Sequence, residues 1–92
     1  MSVLASLQAA MRALPFVEWD RTAGDDDYRM VFGWIDRPDG ARDFVVLQTF
    51  SDWDGHVHPF TSSAKYTKEI SRRLSGCGFG HVDCERVSEV FQ

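Results

Sequence analysis

All three histidines and both cysteines of the chain lie in its C-terminal half: His56, His58, Cys77, His81 and Cys84. Imidazoles and thiolates are the usual ligands of zinc, which takes four of them in a tetrahedron at about 2.0–2.3 Å. His56 and His58 form an H-x-H pair, and on a strand residues two apart point to the same face. Cys77, His81 and Cys84 form C-x3-H-x2-C, but no tight C-x2-C or H-x3–5-H pair accompanies them. The expectation is therefore no cofactor, with the cysteines acting as small hydrophobes and the histidines in turns or at the surface. A structural zinc site on these five residues is the alternative.

Two other chemistries can be weighed on the same residues. A cysteine beside a histidine can supply a thiolate nucleophile, and Cys77 and Cys84 flank His81, with Asp83 able to orient the imidazole. No nucleophile-elbow or protease signature surrounds either cysteine, so no catalytic residue is assigned. Gly76-x-Gly78-x-Gly80 has the look of a phosphate loop, but it follows a helical pattern, whereas such loops follow a strand and open a helix. Helix capping and a turn explain it better.

Carboxylates are the commonest polar groups. Asp25, Asp26 and Asp27 run together after Gly24, and Asp52 and Asp54 flank Trp53. The first run lacks the alternating ligand positions of a calcium loop. Both clusters read as turns, where Asp bonds its own backbone. Residues 15–60 hold ten acidic and four basic residues, a balance of −6, whereas residues 61–76 hold four basic and one acidic, a balance of +3. Such a polarised chain suits a basic protein partner met by an acidic loop surface of Asp25, Asp26, Asp27, Asp52 and Asp54, with Trp53 as an anchor.

These groups must be positioned by a small set of elements. Val3, Leu4, Leu7, Met11 and Leu14 predict a helix over 3–14, capped by Ser2 and stopped by Pro15. Residues 16–19 make a short first strand, and 22–27 a turn. Tyr28, Met30, Phe32 and Trp34 alternate on one face of a strand over 28–35. Arg37-Pro38-Asp39-Gly40 turns that strand into a second, 43–50, which is apolar on both faces and so central in a sheet. A turn over 51–55 leads to a strand over 56–60, ended or edged by Pro59. Thr61, Ser62 and Ser63 offer caps for a helix carrying Tyr66, Ile70 and Leu74, closed by Gly76. Residues 82–91 make a final strand, or a short helix carrying Val87, Val90 and Phe91.

Helices flanking a run of strands predict one α+β domain over 1–92, in the order α-(β)-β-β-β-α-β, with two helices on one face of a mostly antiparallel sheet of three to five strands. The net charge of −4 opposes direct nucleic-acid binding and docking on anionic lipid. No apolar run reaches a membrane span, and the N-terminus has no secretory pattern, so the cytoplasm, with reduced cysteines, is the expected location. The expected function is a non-enzymatic protein–protein interaction module. Its sharpest version is a small inhibitor of the phage or mobile-element type that covers the nucleic-acid-binding surface of a host protein.

Overall fold

Apolar residues spaced three and four apart draw the N-terminal segment into helix α1, Val3–Ala13, in a computed structural model that describes residues 2–53 and 56–87. Ser2 caps it, its Oγ accepting from the Ala5 N–H at 3.0 Å. The buried stripe is Val3, Leu7, Ala10 and Leu14. Leu4, expected on that stripe, is instead 42% exposed, because one residue of helix turns it about 100° away from Val3.

Strand β1, Glu18–Gly24, is longer than the expected 16–19, and the turn that follows narrows to Asp25–Asp27. It pairs antiparallel with β2, Tyr28–Asp36, which pairs without interruption to β3, Arg42–Phe50. The Arg37–Gly40 hairpin sets that register as expected. Gly40 N–H donates to Arg37 O at 3.0 Å, Asp39 Oδ1 accepts from the Ala41 N–H at 3.0 Å, and Gly40 takes the positive φ of 90°. Strand β4, His58–Thr61, follows a 3-10 turn over Ser51–Trp53 and begins two residues later than expected. Two-residue strand β5, Glu85–Arg86, runs parallel to β4. The sheet order is β1-β2-β3-β4-β5, with β3 at its centre as its two apolar faces require. Pro59 sits within β4, one residue before the β5 pairing begins at Phe60, where its missing N–H breaks no bond to β5.

Helix α2, Thr67–Leu74, buries Ile70 and Leu74 as expected. Gly76 follows its C-cap as expected but does not take the positive φ. The chain continues into a wider turn over Ser75–Phe79, and the positive φ of 88° falls on Gly78. Thr61, Ser62 and Ser63 are all buried and do more than cap. Thr61 Oγ1 donates to Phe44 O at 2.7 Å, and Ser62 Oγ accepts from the Phe44 N–H at 3.0 Å and reaches Asp43 Oδ1 at 3.1 Å. Only Ser63 acts ahead of the helix, its Oγ accepting from the Tyr66 N–H. Of the expected final element, Glu85–Arg86 forms strand, while Val90 and Phe91 lie outside the described residues.

The core lies between the helices and one face of the sheet. Leu7 of α1, Leu14 just after it, and Ile70 and Leu74 of α2 cluster with Val31, Ile35, Val45 and Leu47 of β2 and β3. Burying each of these side chains contributes about 1.5–3 kcal/mol. The helix seam is closed by Phe16 stacked on Tyr66 at 4.6 Å, with the Arg73 guanidinium 5.6 Å over the Phe16 ring. The two-helices-on-one-face arrangement is thus the fold.

Candidate functional site

Strand alternation settles which side chains face away from the helices. Val31, Gly33 and Ile35 face the core, so Tyr28, Met30, Phe32 and Trp34 of β2 face outward. Val45, Leu47 and Thr49 are buried, which leaves Phe44, Val46, Gln48 and Phe50 of β3 on the same outer face. Cross-strand pairing aligns Phe32 with Val46, Trp34 with Phe44 and Tyr28 with Phe50, and adds Phe60 of β4 opposite Val46. These residues are half-buried by one another, while both helices lie on the opposite face.

An irregularity in β1 adjusts the rim of this face. Trp19 pairs with Gly33, but the next pair is Arg21 with Phe32, so Asp20 is an extra residue. Trp19 therefore stays on the core side, where its Nε1–H reaches Met11 O at 3.3 Å. Arg21 is turned to the outer side and lays its guanidinium 5.7 Å from the Phe32 centroid. Arg42 does the same over Trp34 at 5.5 Å. It is held there by Asp36 at 2.8 Å and Glu18 at 3.1 Å, and the Glu18 contact contributes most to raising its already high pKa. At the other end the Tyr28 and Phe50 rings lie 4.4 Å apart, and the Tyr28 hydroxyl bonds Gln48 Oε1 at 2.8 Å. Phe32, Gly33, Trp34, Phe44 and Val46 line a shallow apolar depression of about 270 Å³.

The expected acidic residues flank the Tyr28–Phe50 end. Asp25 Oδ1 accepts from the N–H groups of Asp27 at 2.9 Å and Tyr28 at 3.1 Å, and these bonds hold its carboxyl below the usual carboxylate range. Asp26 lies 3.9 Å from Arg29. Ser51 N–H donates to Asp27 O at 2.8 Å, which ties the β1–β2 turn to the turn carrying Asp52. Asp25, Asp26, Asp27 and Asp52 are therefore brought to one end of the sheet. Asp54 and the Trp53 side chain lie outside what the structure describes.

The His/Cys set divides. His56, His58 and His81 line one depression of about 400 Å³ with Asp83, but neither cysteine lines it. His81 Nε2 sits 3.1 Å from Asp83 Oδ1, and His58 Nε2 3.8 Å from Glu85 Oε1. Among the described residues no three His, Cys, Asp or Glu side chains are placed to hold a metal ion. Cys77 is exposed. The Cys84 thiol is pushed up to about 12, first by burial and then by Glu85, so little of it is thiolate at neutral pH. The Cys–His–Asp arrangement considered from the sequence thus has a histidine bonded to its carboxylate beside a suppressed thiol.

Sequence reasoning placed the acidic turns but missed the aromatic face. Its signal was present. The row Tyr28, Met30, Phe32, Trp34 and the two-sided apolarity of residues 43–50 demand two covered faces, and two short helices can cover one. Compared with family models, curated proteins and solved structures, the chain matches none.

Proposed function

We propose that this chain is a non-enzymatic protein–protein interaction module, and that it docks a basic protein through the aromatic sheet face opposite its helices and the acidic turns at the end of that face. The observation that carries the reading is the outward row of Phe32, Trp34, Phe44, Val46 and Phe60 on the face opposite the helices. Strands β1 to β4, at about 4.8 Å spacing and 3.3 Å rise, give a flat footprint of about 450 Å² before side-chain relief. With the adjoining turns it approaches the ~800 Å² per partner of a standard interface. Trp, Tyr and Phe are enriched at interface cores, and a charged rim adds orientation.

The rim sets the partner's sign. Asp25, Asp26, Asp27 and Asp52 outweigh Arg29 at one end, and Glu18 and Asp36 offset Arg42 and Arg21 over the rest of the face. The same surface suits an inhibitor that covers the basic, nucleic-acid-binding surface of its target. Affinity capture from the native host tests the reading when wild type is compared with Val46→Glu on the aromatic face and Lys68→Glu on α2. The partner should be lost with Val46→Glu and retained with Lys68→Glu. Equal retention by both would remove the sheet face as the docking surface.

A further inference from the structure

The segment that follows α2 is tied down differently from the rest of the molecule. Thr67, Ser71 and Ser75 recur at four-residue spacing and make a row of hydroxyls along α2 and its C-cap. The Val82 N–H donates to Ser75 Oγ at 3.0 Å and the Cys84 N–H to Ser71 Oγ at 2.8 Å. Two extended residues advance about 6.6 Å and four helical residues about 6 Å, so alternate N–H groups of the segment meet successive hydroxyls of the row. Beyond it Glu85 and Arg86 pair with Phe60 and Thr61 of β4, and the Val87 N–H donates to Thr61 O at 2.8 Å. Ahead of it Phe79 is buried, and Gly80 directly after takes a positive φ of 75°.

We infer that residues 80–87 are a latch, which lifts from α2 and β4 as one unit while both helices and β1 to β4 stay folded, and which in its closed position covers the edge of β4. Little holds it. Val82 is its one buried residue, Cys84 and Val87 are half-buried, and Gly80, His81, Asp83, Glu85 and Arg86 are exposed. Its ladder to β4 is two residues long, whereas β2 and β3 are each nine. The His58–Glu85 contact across the seam is 3.8 Å long and exposed, and adds little. Segments with few buried apolar groups and short ladders open at lower free energy than the core they lie on. The pivot falls between Phe79, which stays in the core, and Gly80, whose backbone only glycine adopts readily. Without the latch β4 would be an edge strand, and an uncovered edge is a template for pairing with other chains. Opening also frees Cys84, whose thiolate is suppressed in the closed state by burial and then by Glu85.

Cys84 reports the opening. The test uses the full chain with Cys77→Ser, which leaves one thiol, and follows iodoacetamide labelling at about pH 8 over urea concentrations below the unfolding midpoint, with reagent kept where the rate is first order in it. A latch that opens by itself exposes little surface, so the labelling rate should change by less than about twofold across that range. Ile35→Ala removes core packing on β2, two strands away from β4, and weakens the domain equally with the latch open or closed. It should lower the urea midpoint and leave the Cys84 rate within about twofold. Ser71→Ala and Ser75→Ala should each raise the rate about three- to tenfold, because each removes a bond made only in the closed state. A rate that climbs with urea as steeply as global unfolding overturns the inference, because Cys84 is then reached only when the whole domain unfolds. A rise of at least about tenfold with Ile35→Ala overturns it for the same reason. Serine variants that label no faster than the parent overturn it as well.

Discussion

Single residues set the limits of the outer face by what they do on the inner one. Gly33 lies where Val17 and Trp19 cross β2, and a Cβ there would come within 2.5 Å of Val17 Cγ1 and 2.7 Å of Trp19 Cε3. Gly33→Ala should therefore destabilise the fold by about 1–3 kcal/mol in urea unfolding, and Phe32 and Trp34 on either side of it should lose their alignment. Nothing in the local sequence marks this glycine, because the residues that forbid a side chain come from the neighbouring strand. Cys84 makes a second prediction. With its pKa raised by burial from 9.0 to about 12, iodoacetamide at pH 8 should modify Cys77 promptly and Cys84 only on unfolding. A folded-state pKa above the unfolded one stabilises below pH 9, and this contribution should be lost as pH rises from about 9 to 12. Asp25 has the opposite sign. Its carboxyl is held below 3.8 by two backbone N–H groups, so its contribution is present above that pH and lost as pH falls through the lower folded value. The amide resonances of Asp27 and Tyr28 should report that loss in an acid titration.

At the scale of elements, parity along the strands decides which side chains meet solvent. Asp20 is the extra residue of β1. Its deletion would restore regular pairing and keep Trp19 opposite Gly33 and Arg21 opposite Phe32, each on its present face. The deletion should therefore be tolerated, staying within about 1 kcal/mol of the parent, and Asp20→Ala, which keeps the residue count, within about 0.5 kcal/mol; thermal melts of the two variants check both outcomes. The hairpin at Pro38-Asp39-Gly40 was legible in the sequence because its chemistry is local: the fixed φ of proline, the Asp39 side-chain bond and the positive φ of Gly40. So were both helices, from their apolar spacing. The extent of β1 was not, because Asp20 to Gly24 are exposed and polar and become strand through pairing with β2. The positive φ after α2 falls two residues later than Gly76 for a related reason. Three glycines at alternate positions leave the choice to packing, and Phe79, buried directly after Gly78, draws the turn onward.

For the molecule as a whole, the sheet divides two chemistries. One face carries the helices with their apolar core and the basic groups of α2, and the other carries rings bordered by carboxylates. The charge asymmetry was readable from residue counts, and the acidic turns do come together at one end. The aromatic face follows from the same alternation that identified β2, combined with both described helices lying on the other side of the sheet. The three histidines share a depression because β4 and the segment after α2 lie side by side, a juxtaposition that spacing in the sequence does not encode. The central claim is that the aromatic face is where a basic partner sits. Hydroxyl-radical footprinting of the chain, alone and in complex with the captured partner, reads this directly from side chains. The account predicts that oxidation of Met30 and Trp34 falls at least about fivefold in the complex while that of Met11, on the helix side, is unchanged. Equal oxidation of Met30 and Trp34 with and without the partner would contradict it.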